Sequence, residues 1–183
     1  MRPDVKEEEL RLIFDRMEID FASDPLRIFV VGCGERRLVE HHKRIFEELT
    51  GKSVKQTTSD ITIDHLGGEE GIIQHDGTLP LPDGPYDIVY AHVFLKFINP
   101  DLQWQVVQNS YYALADGGIA IHIFDREEID ASDTIISEGK YSVVLDSIRQ
   151  KLADQDISHK VIEWTIKDIL PSPLPGIALV LKK

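Results

Sequence analysis

Residues 26–34 read LRIFVVGCG. An almost continuous apolar, β-branched run closes on two glycines one residue apart. Such a run suits a strand buried on both faces. Glycine lets the chain turn tightly or lets a ligand approach the backbone closely. The next residues, Glu35 to Leu49, read as a helix with Leu38, His42, Ile45 and Leu49 on one stripe, stopped by Thr50-Gly51. Strand, glycine turn and helix in this order open an α/β sheet. Gly32-Cys33-Gly34 is then a cofactor loop, an altered one, or only a tight turn. Glycine at Arg37 would be needed for a nicotinamide fingerprint.

Working outward, the alternation continues. SVKQTT (53–58), GIIQH (71–75), DIVYA (87–91) and IAIHIF (119–124) read as further strands. Asn99-Pro100-Asp101 opens a helix to about Leu114, with Pro100 in the first turn and Ala115-Asp116-Gly117-Gly118 as its stop. Tyr141 to Leu152 reads as another helix. KVIEWTI (160–166) and GIALVLKK (176–183) are two final strands. Only KDILPSPLP separates that pair, too little for a helical crossover, so they form an antiparallel hairpin. A helix precedes the first strand: Leu10, Ile13, Phe14 and Met17 share one face. It packs on the sheet edge or covers a ligand site. The expected organisation is one domain over residues 1–183, with an N-terminal amphipathic helix in 1–20.

Composition narrows the function classes. The chain of 183 residues carries a formal net charge of −12. Such a surface repels nucleic acid and anionic lipid. Arg36, Arg37, Lys43 and Arg44 are interleaved with Glu35, Glu40, Glu47 and Glu48, as on a solvated helix face. One cysteine, Cys33, forms no disulfide framework. There is no apolar run of the roughly 20 residues a bilayer requires, and MRPDVKEEEL lacks a secretory core. These features lead us to expect a cytoplasmic protein with no membrane and no nucleic-acid partner. Asp64-His65 and His75-Asp76 lack tight ligand spacing, so no metal site is expected.

Open α/β sheets bind ligands beyond the carboxyl ends of their strands. The residues there are Gly32-Cys33-Gly34, Asp60-Ile61, Asp76-Gly77, Ala91-His92 and Asp125-Arg126. A carboxylate can accept from paired ribose hydroxyls or from an exocyclic amine. Spacing alone allows any adenine nucleoside, and each acid could equally cap a turn. His42, His75 and His122 fall on apolar helix or strand patterns and are expected to be packed.

The segment IIQHDGTLPLPDGPYDIVYAHVFLKFI (72–98) resembles the central region of class I S-adenosylmethionine-dependent methyltransferases, in their small-molecule branch. ALADGGIAIHIFD (113–125) resembles that family's glycine turn into the fifth strand. The resemblance implies a Rossmann-like, doubly wound, mostly parallel seven-stranded sheet of order 3-2-1-4-5-7-6 with an antiparallel last strand. It implies S-adenosylmethionine as cofactor, S-adenosylhomocysteine as product and a small-molecule acceptor. Carried over by position, Gly32, Cys33 and Gly34 lie along the methionine and ribose, and Asp60 with Ile61 at the ribose. Asp76 with Gly77 sits at the adenine, and Ala91 and His92 near the sulfonium. His92 is the candidate catalytic base.

Two positions depart from the family's loop: Val30 stands where an acid is usual, and Arg36 where a third glycine is usual. Asp60 follows Gly34 at more than the about 20 residues common for a ribose acid. The segment between Asp60 and the third strand is too short for a crossover helix. These departures keep a second function open: a weak or inactive methyltransferase-like protein that binds through a protein partner.

Overall fold

The structure is a computed structural model and describes residues 3–165 and 175–183. Its elements follow the alternation expected: α1 (Pro3–Met17), β1 (Leu26–Val31), α2 (Arg37–Thr50), β2 (Val54–Asp60), β3 (Ile72–Gln74), β4 (Tyr86–His92), α3 (Pro100–Tyr112) and β5 (Leu114–Asp125). A short hairpin follows, β6 (Ile135–Ser137) with β7 (Lys140–Tyr141), then α4 (Leu145–Asp154), β8 (His159–Trp164) and β9 (Gly176–Lys182). Seven strands form one sheet in the order β3-β2-β1-β4-β5-β9-β8. Strands β1 to β5 are mutually parallel, and β9 runs antiparallel to both β5 and β8. This is the order expected, with β8 and β9 as the sixth and seventh strands of the sheet. The segment joining them, KDILPSPLP, lies outside the described residues except for its last proline.

The apolar run of β1 is continuous because both faces are covered. Ile28 and Val30 enter one core layer with Leu10 and Ile13 of α1, Ile45 and Phe46 of α2, and Ile88 and Tyr90 of β4. Phe29 and Val31 enter the other, with Val106 and Val107 of α3 and Ile148 and Leu152 of α4. This is the period-two alternation of a strand. Each fully buried aliphatic side chain contributes roughly 1.5–3 kcal/mol. Helix α1 is therefore a core element: Leu10 and Ile13 are fully buried, with Phe14 and Met17 at the margin.

Three local expectations change. The Ala115–Gly118 stretch lies inside β5, and α3 ends at Tyr112, before it. Between the pairs Tyr86↔Leu114 and Ile88↔Ile119 the β5 register shifts, and Gly117 takes φ +79°, so the glycines form a bulge in the strand. Helix α4 starts at Leu145 and not at Tyr141, because Tyr141 pairs with Ile135 across a turn at Gly139 (φ +70°). Helix α2 begins two residues after Glu35, at Arg37. Between β2 and β3 there is only the short turn Asp64–Leu66, as that segment's length required.

Candidate functional site

Strand order reverses between β1 and β4, so a crevice opens beyond their carboxyl ends. A cavity of about 140 Å³ lies there. Gly32 after β1, Asp60 and Ile61 at the end of β2, and Asp76 and Gly77 after β3 line it together. Phe94, Phe97 and Ile98, from the segment after β4, close the opposite side. Five of the residues read from the sequence therefore meet in one place.

The two carboxylates are organised differently. Asp60 accepts from the Cys33 amide at 2.9 Å and from the Thr62 amide at 3.3 Å. It thereby ties the tip of β2 to the glycine turn. Asp76 accepts from the amide of Thr78 at 2.9 Å and from its hydroxyl at 2.8 Å. These two bonds hold the Asp76 carboxyl below its ordinary range, so it stays ionised at neutral pH. Its side chain remains exposed at the cavity rim.

The glycine turn keeps its close-approach geometry. Gly32 has φ +73°, and its amide donates to the Ser59 carbonyl at 2.9 Å. The Cys33 side chain turns away from the cavity into a small apolar cluster with Leu38, Val39 and Leu66, and burial raises its thiol pKa. Its carbonyl accepts from His65 at 2.8 Å. Arg36 also points away, to Glu69 at 2.7 Å. Cys33, Gly34 and Ala91 do not line the cavity; Ala91 is buried under the α3–α4 layer.

His92 sits apart from the cavity, beneath α1. Its Nε2 is hydrogen-bonded to Oε2 of Glu9 at 2.9 Å, and both side chains are only 7% exposed. Lys6, one turn earlier on α1, donates to His42 Nε2 at 3.5 Å. Tyr90 lies on the same face as His92, with ring centroids 6.2 Å apart, and its hydroxyl has no hydrogen-bond partner among the described residues. Burial raises the Glu9 carboxyl to about 7. Burial, reinforced by Lys6, holds the His92 imidazole well below its usual range. At neutral pH His92 is thus uncharged. Lys6 and Glu9 escaped the sequence reading because they sit in the acidic first half of α1, which resembles a solvated helix start. Their period with Leu10 and Ile13 was the available signal. His42 and His122 are buried and His75 is half-buried, all packed in the layers where the apolar patterns put them.

Further out, Lys96 bridges Asp125 at 3.2 Å and Glu128 at 2.8 Å, closing the end of β5. Among the described residues no group of His, Cys, Asp and Glu stands close enough to hold a metal ion. Nor is any described helix long and apolar enough to cross a membrane.

A family model described as a methyltransferase domain matches residues 29–122, half of the chain, from within β1 to within β5. No curated protein matches the sequence. Solved structures match over nearly the whole chain. An S-adenosylmethionine-dependent methyltransferase from Clostridium acetobutylicum ATCC 824 is 12% identical, with 98% of this chain and 92% of that one covered and a TM-score of 0.68. The plantazolicin methyltransferase BpumL, solved with S-adenosylhomocysteine, is 13% identical, with coverages of 99% and 85% and a TM-score of 0.68. The N-methyltransferase NodS from Bradyrhizobium japonicum WM9, also solved with S-adenosylhomocysteine, is 12% identical, with coverages of 97% and 85% and a TM-score of 0.59. At these identities the likeness is one of fold: Rossmann-like, with a mostly parallel sheet. The matched family model and the sheet order agree, and the chain belongs to the methyltransferase domain family.

Proposed function

We propose that this protein is an S-adenosylmethionine-dependent methyltransferase acting on a small-molecule acceptor, with residues 1–183 forming one catalytic unit. The observation that carries the reading is the meeting of Gly32, Asp60, Ile61, Asp76 and Gly77 around one cavity at the switch point. The donor set suits a nucleoside. Two carboxylates offer acceptors to hydroxyls and an amine. The glycines supply a backbone floor: a Cβ on Gly77 would lie 3.1 Å from Val31 Cγ1 and, with the Phe94 ring in place, 2.8 Å from that ring.

In this reading Asp60 holds the ribose, Asp76 and Gly77 the adenine, and the Gly32–Gly34 turn the amino-acid portion. Cys33 acts through its backbone, since its side chain faces the core. Ala91 and His92 stand at the end of β4, outside the cavity lining, with His92 under α1. When bound, S-adenosylmethionine supplies a methyl group on a sulfonium sulfur. The protein must then orient the acceptor, exclude water and remove a proton where the acceptor carries one. His92 is the proposed base. Burial and Lys6 disfavour its protonated form, so it takes up a proton only where ionised Glu9, 2.9 Å away, balances the charge.

A second reading, a methyltransferase-like protein that binds poorly and works through a protein partner, draws on one fact. The Phe94 ring occupies much of the space a cofactor needs. Calorimetry with S-adenosylhomocysteine separates the two. The first reading predicts one-to-one binding to the wild type and at least a ~10-fold loss in Asp76→Ala, the order expected for removing one charge-assisted hydrogen bond. Binding indifferent to Asp76 would contradict the site assignment. No binding would leave the second reading.

A further inference from the structure

Phe94 stands in the way of the ligand proposed above. A Cβ built on Gly32 would lie 2.5 Å from Cδ2 of its ring, and one on Gly77 would lie 2.8 Å from Cζ. The ring therefore spans the gap between the turn after β1 and the turn after β3. It also lines the cavity that holds Asp60 and Asp76. The space left over is about 140 Å³. Pockets for ligands of this kind usually measure roughly 300–1,000 Å³. Two acids and two glycines are arranged for a ligand, and an aromatic ring fills the middle of the arrangement.

The backbone delivers the ring to this place. Val93 donates its amide to the Ile123 carbonyl at 2.8 Å, extending the β4–β5 ladder by one bond. Val93 then adopts φ +53°, a left-handed conformation that β-branched residues rarely take. The chain turns sharply there. The Phe94 carbonyl accepts from the Phe97 amide at 3.0 Å, which closes a tight turn behind the ring. A strained residue thus sits immediately before the ring that blocks the site. Such strain persists only when surrounding contacts hold it, and it clusters at active sites, ligand clamps and switch regions.

We propose that Phe94 is the affinity-determining residue of the nucleoside pocket. In the ligand-free protein its ring takes the place of the ligand between Gly32 and Gly77. It leaves by rotation at Val93–Phe94, which relieves the left-handed backbone, and ligand binds only the ring-out form. The inference rests on the cofactor reading above. Its consequence is an exchange between two properties. The ring stabilises the empty protein by filling the site, and it weakens binding by the fraction of molecules in which it is in place. A residue that merely packed in the core would, when truncated, lower stability and affinity together.

The test is calorimetric titration of S-adenosylhomocysteine into the wild type, Phe94→Ala and Phe94→Leu, with thermal melts of each ligand-free protein. We expect Phe94→Ala to bind roughly 10-fold tighter, the gain when a form populated at about one part in ten becomes dominant. Its ligand-free melting temperature should fall. Phe94→Leu, which keeps an apolar side chain, should lie between on both measures and guards against poor folding of the alanine variant. Equal or weaker binding by variants that still melt cooperatively, with the wild type binding, overturns the role of Phe94 and leaves the cofactor reading intact. Absence of binding in all three overturns the cofactor reading and this proposal with it.

Discussion

Glu9 and His92 meet where α1 covers the carboxyl end of β4. Around them stand Lys6 and His42 from the two helices, Tyr90 from the same strand, and Asp125 from β5. Burial raises the Glu9 carboxyl from its ordinary value to about 7. A carboxyl whose folded pKa is raised takes up a proton on folding. Its contribution to stability is therefore greatest below its unfolded value, near pH 4.5, and is lost as pH rises to about 7. The loss is at most about 3 kcal/mol. Glu9→Gln should remove this slope. Urea unfolding at pH 5 and pH 8 should show the variant gaining on the wild type at the higher pH, and a difference independent of pH would refute the assignment. His92→Ala should lower methyl transfer by ~100-fold or more while S-adenosylhomocysteine affinity changes little, as for loss of a general base. His92 was legible as a residue at a strand end. Its partner was not, because the contact joins segments far apart in sequence, and only the folded helix brings them together.

At the scale of elements, β5 carries the clearest consequence. Ile119, Ile121 and Ile123 face one layer, and Ala120 and Phe124 the other. His122 is fully buried in this strand, and among the described residues neither ring nitrogen is hydrogen-bonded. Burial lowers its imidazole to about 4. A depressed pKa means stability is intact above the unfolded value and falls as pH drops toward 4. His122→Leu replaces an unsatisfied polar ring by an apolar side chain. It should stabilise the protein by ~1 kcal/mol at pH 7 and more at pH 5, measured by urea unfolding. A destabilised variant would mean that the imidazole has a partner. The apolar runs that placed β1, β4 and β5 were strong because those strands are buried on both faces. Elements that bury little were misread. The β6–β7 hairpin, with Ile135 and Ile136 exposed, has no buried face whose apolar period would announce it. Ala115–Gly118 passed for a helix stop, since a glycine bulge and a glycine cap use the same residues.

For the whole molecule, repeated strand–helix alternation and a last connection too short to cross over pointed to a mostly parallel sheet with an antiparallel final pair, and the strand order came from the resemblance to class I methyltransferases. The candidate site was legible to the extent that it consists of strand tips. Gly32, Asp60, Ile61, Asp76 and Gly77 converge because parallel strands all end on one side. Cys33 and Gly34 follow Gly32 in the turn and Ala91 and His92 end β4 before Phe94, and none of these residues lines the cavity. Phe94 was hidden because its effect depends on the left-handed turn at Val93, which β-branched sequence does not announce. The central claim, that the switch-point cavity binds the methyl donor, is tested most directly by an amide NMR titration of the 15N-labelled protein with S-adenosylhomocysteine. The account predicts saturable shifts concentrated at Gly32, Cys33, Gly34, Ile61, Gly77 and Phe94. Shifts centred elsewhere, or none at saturating ligand, would contradict it.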